Sequence, residues 1–220
     1  LAWTVLLTSF AIFCILAFSV PWGTRWYLTN ATKAHQAKVT CLEGTAVIED
    51  PQHGIATPLL KGETIPIPEG SVVSVDETAQ AVLIFFDQSH LRLFPSTSVS
   101  LERMRAPRFA SSPRPAQIGL YARGGGLWIG TALHGAPPVE LILETLQAHT
   151  VLSENGSYTI EVSNEQTEVI VQRGTAEVKT TSLAVPEGNA TVVLSSRQRT
   201  VVGIGRAPLP PLKAARDLIT

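Results

Sequence analysis

The hydrophobic pattern changes period once along the chain. Leu1 to Val20 is a continuous apolar run with no charged side chain. Wound as a helix at ~1.5 Å per residue, it reaches about 30 Å, the depth of a bilayer hydrocarbon core. Its Leu, Ile, Val and Phe side chains together favour insertion by about 5 kcal/mol. Thr4, Thr8, Ser9 and Ser19 can bond back to the helix backbone and so cost little. Pro21 and Gly23 mark the expected exit, where Trp22, Arg25, Trp26 and Tyr27 form a membrane-interface belt. A cleaved signal peptide would have a shorter apolar core and a small-residue cleavage site, which Ser19-Val20-Pro21-Trp22-Gly23 does not resemble.

From Val39 onward the period is two. Val39 to Ile48, Ser71 to Val75, Ala79 to Phe86, Leu91 to Leu93 and Val99 to Arg103 read as strands. So do Tyr158 to Val162, Val169 to Val171, Val192 to Leu194 and Thr200 to Val202. No stretch after Lys38 keeps a helical period over three turns. The pattern predicts an all-β domain, a sandwich or a stacked short-strand roll, on one N-terminal transmembrane α-helix. Residues 1–22 are the transmembrane helix, 23–38 an interfacial connector, 39–205 the β domain and 206–220 a Pro-rich tail or linker. Within the domain, 105–117 reads as a Pro- and Arg-rich loop, because Pro107, Pro113 and Pro115 cannot donate to a ladder. Asn155-Gly156 is a candidate type I′ hairpin turn. Gly44-Thr45-Ala46 is echoed by Gly174-Thr175-Ala176, and Pro68-Glu69-Gly70 by Pro186-Glu187-Gly188; shared turn chemistry and duplication both account for this.

Composition narrows the function classes. The 220 residues are 16% charged with a net charge of −1, so the basic face of a nucleic-acid binder is not expected. Of the two cysteines, Cys14 lies in the apolar run, which leaves Cys41 alone in the domain and excludes a disulfide framework. His35, His53, His90, His134 and His149 show no metal-ligand spacing. Asp87, Ser89 and His90 contain triad-like residue types but sit at a strand-to-strand turn, where Asp and Ser bond the backbone. Gly124-Gly125-Gly126 lacks the Lys-Ser/Thr of a phosphate loop and reads as a flexible turn, with Trp128 beyond it as a core or interface anchor. Neither a catalytic group nor a cofactor is expected.

The order of motifs resembles the FecR-domain family. Its elements are Glu43-Gly44 in the first strand, Leu59-Leu60-Lys61-Gly62-Glu63-Thr64-Ile65, and Gly70-Ser71. They continue with Asp87-Gln88-Ser89, Leu91-Arg92-Leu93-Phe94-Pro95-Ser96-Thr97, and Val169 to Val178 around Gly174. One departure is Gln88, where the family has the glycine of Asp-Gly-Ser. The resemblance implies an extracytoplasmic, periplasmic β domain of a bacterial single-pass membrane protein, acting in protein contact or envelope signalling without catalysis. Charge alone points the other way, since Arg25, Lys33 and Lys38 follow the helix with no acid among them.

The expected partners are therefore the lipid bilayer and other membrane or envelope proteins, with no nucleic acid. Arg103, Arg105, Arg108, Arg114, Arg123 and Trp128 are the expected partner-binding residues. The alternative is an accessory single-pass subunit of a large respiratory or photosynthetic complex. In that case the helix, with small and aromatic faces, would pack against other helices or pigments.

Overall fold

The computed structural model describes residues 2–50, 54–109, 112–133 and 138–214. His53, His134, residues 110–111 of the Arg-rich loop and the last six positions of the tail lie outside the described residues.

The apolar run forms one helix, α1, Ala2–Asn30, of 29 residues. It is long and apolar enough to cross a membrane, and its apolar side chains are exposed on every side. It does not stop at Pro21 or Gly23, as the sequence suggests, but continues through both to Asn30. Pro21 lacks only its own N–H, and the turn closes around it: Thr24 Oγ1 donates to Val20 O at 2.6 Å and Pro21 O at 3.1 Å. Most of the expected connector is therefore helix or strand.

The strands follow without another α-helix among the described residues. They are β1 (Thr32–Ala34), β2 (Ala37–Glu43), β3 (Thr45–Asp50), β4 (Ile55–Leu60), β5 (Thr64–Ile67) and β6 (Val72–Val75). Next come β7 (Gln80–Ile84), β8 (His90–Leu93), β9 (Ser98–Pro107), β10 (Ala116–Gly130), β11 (Val139–Glu144) and β12 (Ala148–Leu152). The last are β13 (Ser157–Val162), β14 (Gln166–Arg173), β15 (Ala176–Thr180), β16 (Thr191–Leu194), β17 (Gln198–Gly203) and β18 (Leu212–Lys213). One face runs β4-β3-β6-β9-β10-β11-β12-β15-β16, with β1 on the far end of β9. The other runs β5-β2-β7-β8-β10-β13-β14-β17-β18. Because β10 belongs to both, the two faces form one continuous, nearly barrel-shaped system around a single core. Pairing is antiparallel except between β10 and β11.

Burial follows the predicted alternation. Val39 and Cys41, Ala81 and Leu83, Leu91 and Leu93, Tyr158 and Ile160, and Val169 and Val171 all point inward. Within β10 the inward set changes phase, from Ile118, Leu120 and Ala122 to Leu127 and Ile129. The triglycine lies at that break, so it is not a turn: Gly124 pairs with Ser98 on the first face and Gly125 with Val162 on the second. Gly125 sits at φ +97, and a Cβ there would meet Thr97 Oγ1 and Cα closer than any real contact. Only glycine lets the strand bend this tightly from one sheet into the other.

The turns also differ from expectation in places. Asn155 has φ +53, but β12 and β13 lie on opposite faces and do not pair, so Asn155-Gly156 is a corner between sheets rather than a hairpin. The Gly-Thr-Ala echo is structural: Gly44 (φ +71) and Gly174 (φ +94) each turn a strand of the second face into a strand of the first. The Pro-Glu-Gly echo is not. Gly70 joins the two faces, whereas Pro186 leads into a 3₁₀ turn between β15 and β16 of one face. The Arg-rich loop is shorter than 105–117, because β9 runs through Arg105 to Pro107 and β10 starts at Ala116. Pro107 is tolerated at the end of its strand, opposite Thr32 of the short β1. Gln88 holds φ +71, a left-handed conformation that glycine adopts most readily, and the Asp87 carboxylate accepts from the Ser89 amide at 2.9 Å and hydroxyl at 2.5 Å.

Candidate functional site

Two outer surfaces carry the expected site residues. The first is a groove of about 860 Å³ on the second face, within the size range of small-ligand and peptide sites. Register builds it. Trp128 pairs with Arg92 on one side and Thr159 on the other, and Gly126 pairs with Glu161, which pairs in turn with Glu168. Outward-facing Gly126 has no side chain, so a notch opens between Phe94 and Glu161. A Cβ on Gly126 would meet the Phe94 ring at 3.4 Å. The triglycine therefore both bends β10 and floors the groove.

The groove walls are held by side-chain bonds. Trp128 Nε1 donates to Ser157 Oγ at 3.1 Å and to Gln172 Oε1 at 3.2 Å. Ser157 Oγ donates to the same Gln172 oxygen at 2.6 Å, and Gln172 Nε2 donates to Thr159 Oγ1 at 3.3 Å. The His90 ring lies 5.1 Å from the indole. Arg92 sits 5.6 Å over the Phe94 ring while its Nη2 donates to Gln80 Oε1 at 2.7 Å. Arg199 Nη1 reaches Glu168 Oε1 at 2.8 Å. The result is a fixed aromatic wall facing a charged one, a surface suited to an extended polar segment with an apolar side chain. His90 packs on Trp128, while Asp87 and Ser89 bond each other in the preceding turn.

The arginines do not form one surface with Trp128. They lie on the other face and on the loop beside α1, and they are divided further. Arg105 is tied to Glu69 through Nε at 3.1 Å and Nη2 at 2.8 Å. That hydrogen bond is the main cause holding the Glu69 carboxyl below its ordinary range. Burial opposes it, and the Met104 amide and the charges of Arg105 and Arg103 support it. A register shift between Gly119 and Leu120 sets Glu102 and Arg103 side by side on the outside. Arg103 Nη1 donates to Gln117 Oε1 at 3.3 Å. Arg123 lies farther along β10, in a second concavity that it shares with Arg103, Tyr121 and Glu144.

Arg108 belongs to the anchor. Its Nη1 donates to the Tyr27 hydroxyl at 3.2 Å, its amide donates to Ala31 O at 2.9 Å, and Phe109 packs edge-on against the Tyr27 ring at 5.9 Å. Ser112 Oγ donates to Thr29 O at 2.8 Å. The end of α1 is thus clasped by the loop. Of the expected belt, Tyr27 turns toward this clasp, while Trp22 and Trp26 remain 80% and 65% exposed. Of the residues expected from sequence, Trp128 lines this groove; Phe94, Glu161 and Glu168 line it without having been expected. The available signal was the Gly126-Leu127-Trp128 spacing, a missing side chain next to a large one on one strand face.

Two crystal structures of a "putative anti-sigma factor" from Parabacteroides distasonis ATCC 8503 are similar to this chain. One has a TM-score of 0.49 at 16% identity and the other 0.48 at 18%, each covering 65% of this chain. The match spans 59% of the length of each of those proteins. No protein-family model and no curated protein matches the sequence.

Proposed function

We propose that this chain is a non-enzymatic, membrane-anchored interaction and signalling module of the FecR type. Its β domain stands outside the cytoplasm, and its glycine-floored groove receives a segment of a partner envelope protein. The observation that carries this reading is the clasp between α1 and the loop. The helix exposes apolar side chains all round, yet its last turn is bonded to the domain through Tyr27, Thr29 and Ala31. A tether would need no such bonds; a mount that presents one face at a set attitude does. The motif resemblance adds support: at the position of its Asp-Gly-Ser glycine, Gln88 takes a left-handed φ of 71 that favours glycine.

The test places a photo-crosslinking amino acid at Thr159, in the groove, and at Glu177, exposed on β15 of the other face, in the intact membrane protein. A discrete protein adduct from Thr159 and none from Glu177 is the expected result. Equal or absent adducts overturn the groove. Adducts confined to probes on α1 would instead favour the accessory-subunit reading. Protease added to spheroplasts should digest the domain; full protection overturns the extracytoplasmic placement.

A further inference from the structure

The clasp sets a distance that the proposed function does not use. α1 is uncharged through Val20, and Tyr27 lies about 10 Å farther along the axis. A headgroup layer is about 5–8 Å deep on each side of the hydrocarbon core. The Tyr27 hydroxyl and the Arg108 guanidinium bonded to it therefore lie just outside that layer, where a long arginine side chain reaches back to the headgroup phosphates. Beside them is a concavity of about 530 Å³ lined by Asn30 at the helix end together with Arg103, Arg105 and Arg114. Arg114 is exposed, and among the described residues its guanidinium makes no hydrogen bond or ion pair. The carboxylates in the same concavity are Glu69, bonded to Arg105, and Glu102, which accepts from Ser100 Oγ at 2.7 Å. Arg25 adds a further cation on the helix itself.

We infer that Arg103, Arg108 and Arg114 form a docking surface for the anionic phospholipid headgroups of the bilayer that holds α1. Arginine suits this role, because its planar fork binds phosphate oxygens in pairs. Arg105 positions the surface: its bond to Glu69 braces β9 beside the helix end. Contact with headgroups fixes the tilt of the domain and so the direction in which the groove faces. The inference rests on the membrane-anchored reading, but not on the groove having a partner.

The test uses the full chain in nanodiscs of phosphatidylcholine alone or mixed with phosphatidylglycerol. The readout is the rate of tryptic cleavage after Arg108 relative to cleavage after Lys61, an exposed turn residue between β4 and β5. Phosphatidylglycerol should slow the relative rate about fivefold or more, the effect of one basic side chain at an anionic surface. High salt should remove the slowing. An Arg103→Gln/Arg114→Gln variant, which keeps the Arg108 cleavage site, should show a clearly smaller slowing by phosphatidylglycerol than the unaltered chain; an undiminished slowing overturns the inference. Equal rates for the unaltered chain overturn the inference and leave the anchor standing. Equal protection by inorganic phosphate in phosphatidylcholine discs also overturns it, since the site would then be a free-anion site. A chain that fails to enter discs and stays soluble without lipid overturns the anchored reading itself.

Discussion

The two outer faces of the domain are built on the same inward alternation and differ in how their outward side chains are held. On the second face, Trp128, Ser157, Thr159 and Gln172 bond one another across three neighbouring strands, so the aromatic wall of the groove is fixed by neutral hydrogen bonds. On the first face, Glu69, Arg103 and Arg105 meet through charge next to the membrane helix. A wall of the first kind keeps its shape in salt and across pH; the second kind of contact responds to both.

The largest expected effect comes from breaking the joint between the faces. Gly125→Val places a branched side chain at φ +97 against Thr97 and should cost about 3 kcal/mol or more, read by denaturant unfolding. A loss within a few tenths of a kcal/mol would mean that β10 does not need its bend. Next is Tyr158, which is buried and whose hydroxyl bonds Ser153 O at 3.0 Å and Thr175 O at 2.9 Å where the chain passes between faces. Tyr158→Phe should cost about 1.5 kcal/mol. Burial is the main cause raising the Tyr158 hydroxyl above its ordinary value, against the hydrogen bonds that lower it. Its contribution is therefore complete below the unfolded phenol range and is lost as pH rises through the folded value. The variant should lack that alkaline loss.

Two smaller changes separate the faces directly. Trp128→Phe removes the Nε1 bonds but leaves Ser157 and Gln172 bonded to each other, so it should cost about 1 kcal/mol, unchanged by salt. Glu69→Gln removes a partly exposed ion pair and should cost less than about 1 kcal/mol. The folded carboxyl is held low, so its contribution is present above the unfolded carboxylate value and lost as pH falls through the folded one. Acid titration of unfolding should show this limb in the unaltered chain and not in the variant. If Trp128→Phe proves salt-dependent and Glu69→Gln does not, the contrast between the faces is wrong.

Much of the fold was legible because burial sets a short period. The inward positions of β2, β7, β8, β13 and β14 follow from alternation alone. β4 and β5 are not among the strands that alternation predicts; they carry Pro58 and Pro66, and both are edge strands, where proline costs least. β10 was misread at its glycines because a one-residue change of phase looks like a turn when no partner strand is in view. The candidate site was less legible than the fold. Trp128 lies on the second face, whereas the arginines lie on the first face and the loop beside α1, where Arg103, Arg105 and Arg114 share one concavity and Arg103 and Arg123 another.

The order of side chains by itself determined an apolar helix followed by an all-β domain and most of the residues that fill the core. These are local properties, since a residue is buried or exposed according to neighbours two or four positions away. The tertiary structure alone decided that β10 joins the faces, that Gly126 opens a groove between Phe94 and Glu161, and that Arg108 and Ser112 clasp the helix end. Those contacts join residues 81 and 83 positions apart. No local period encodes which distant segment a strand or a loop will meet; the pairing of whole sheets settles it.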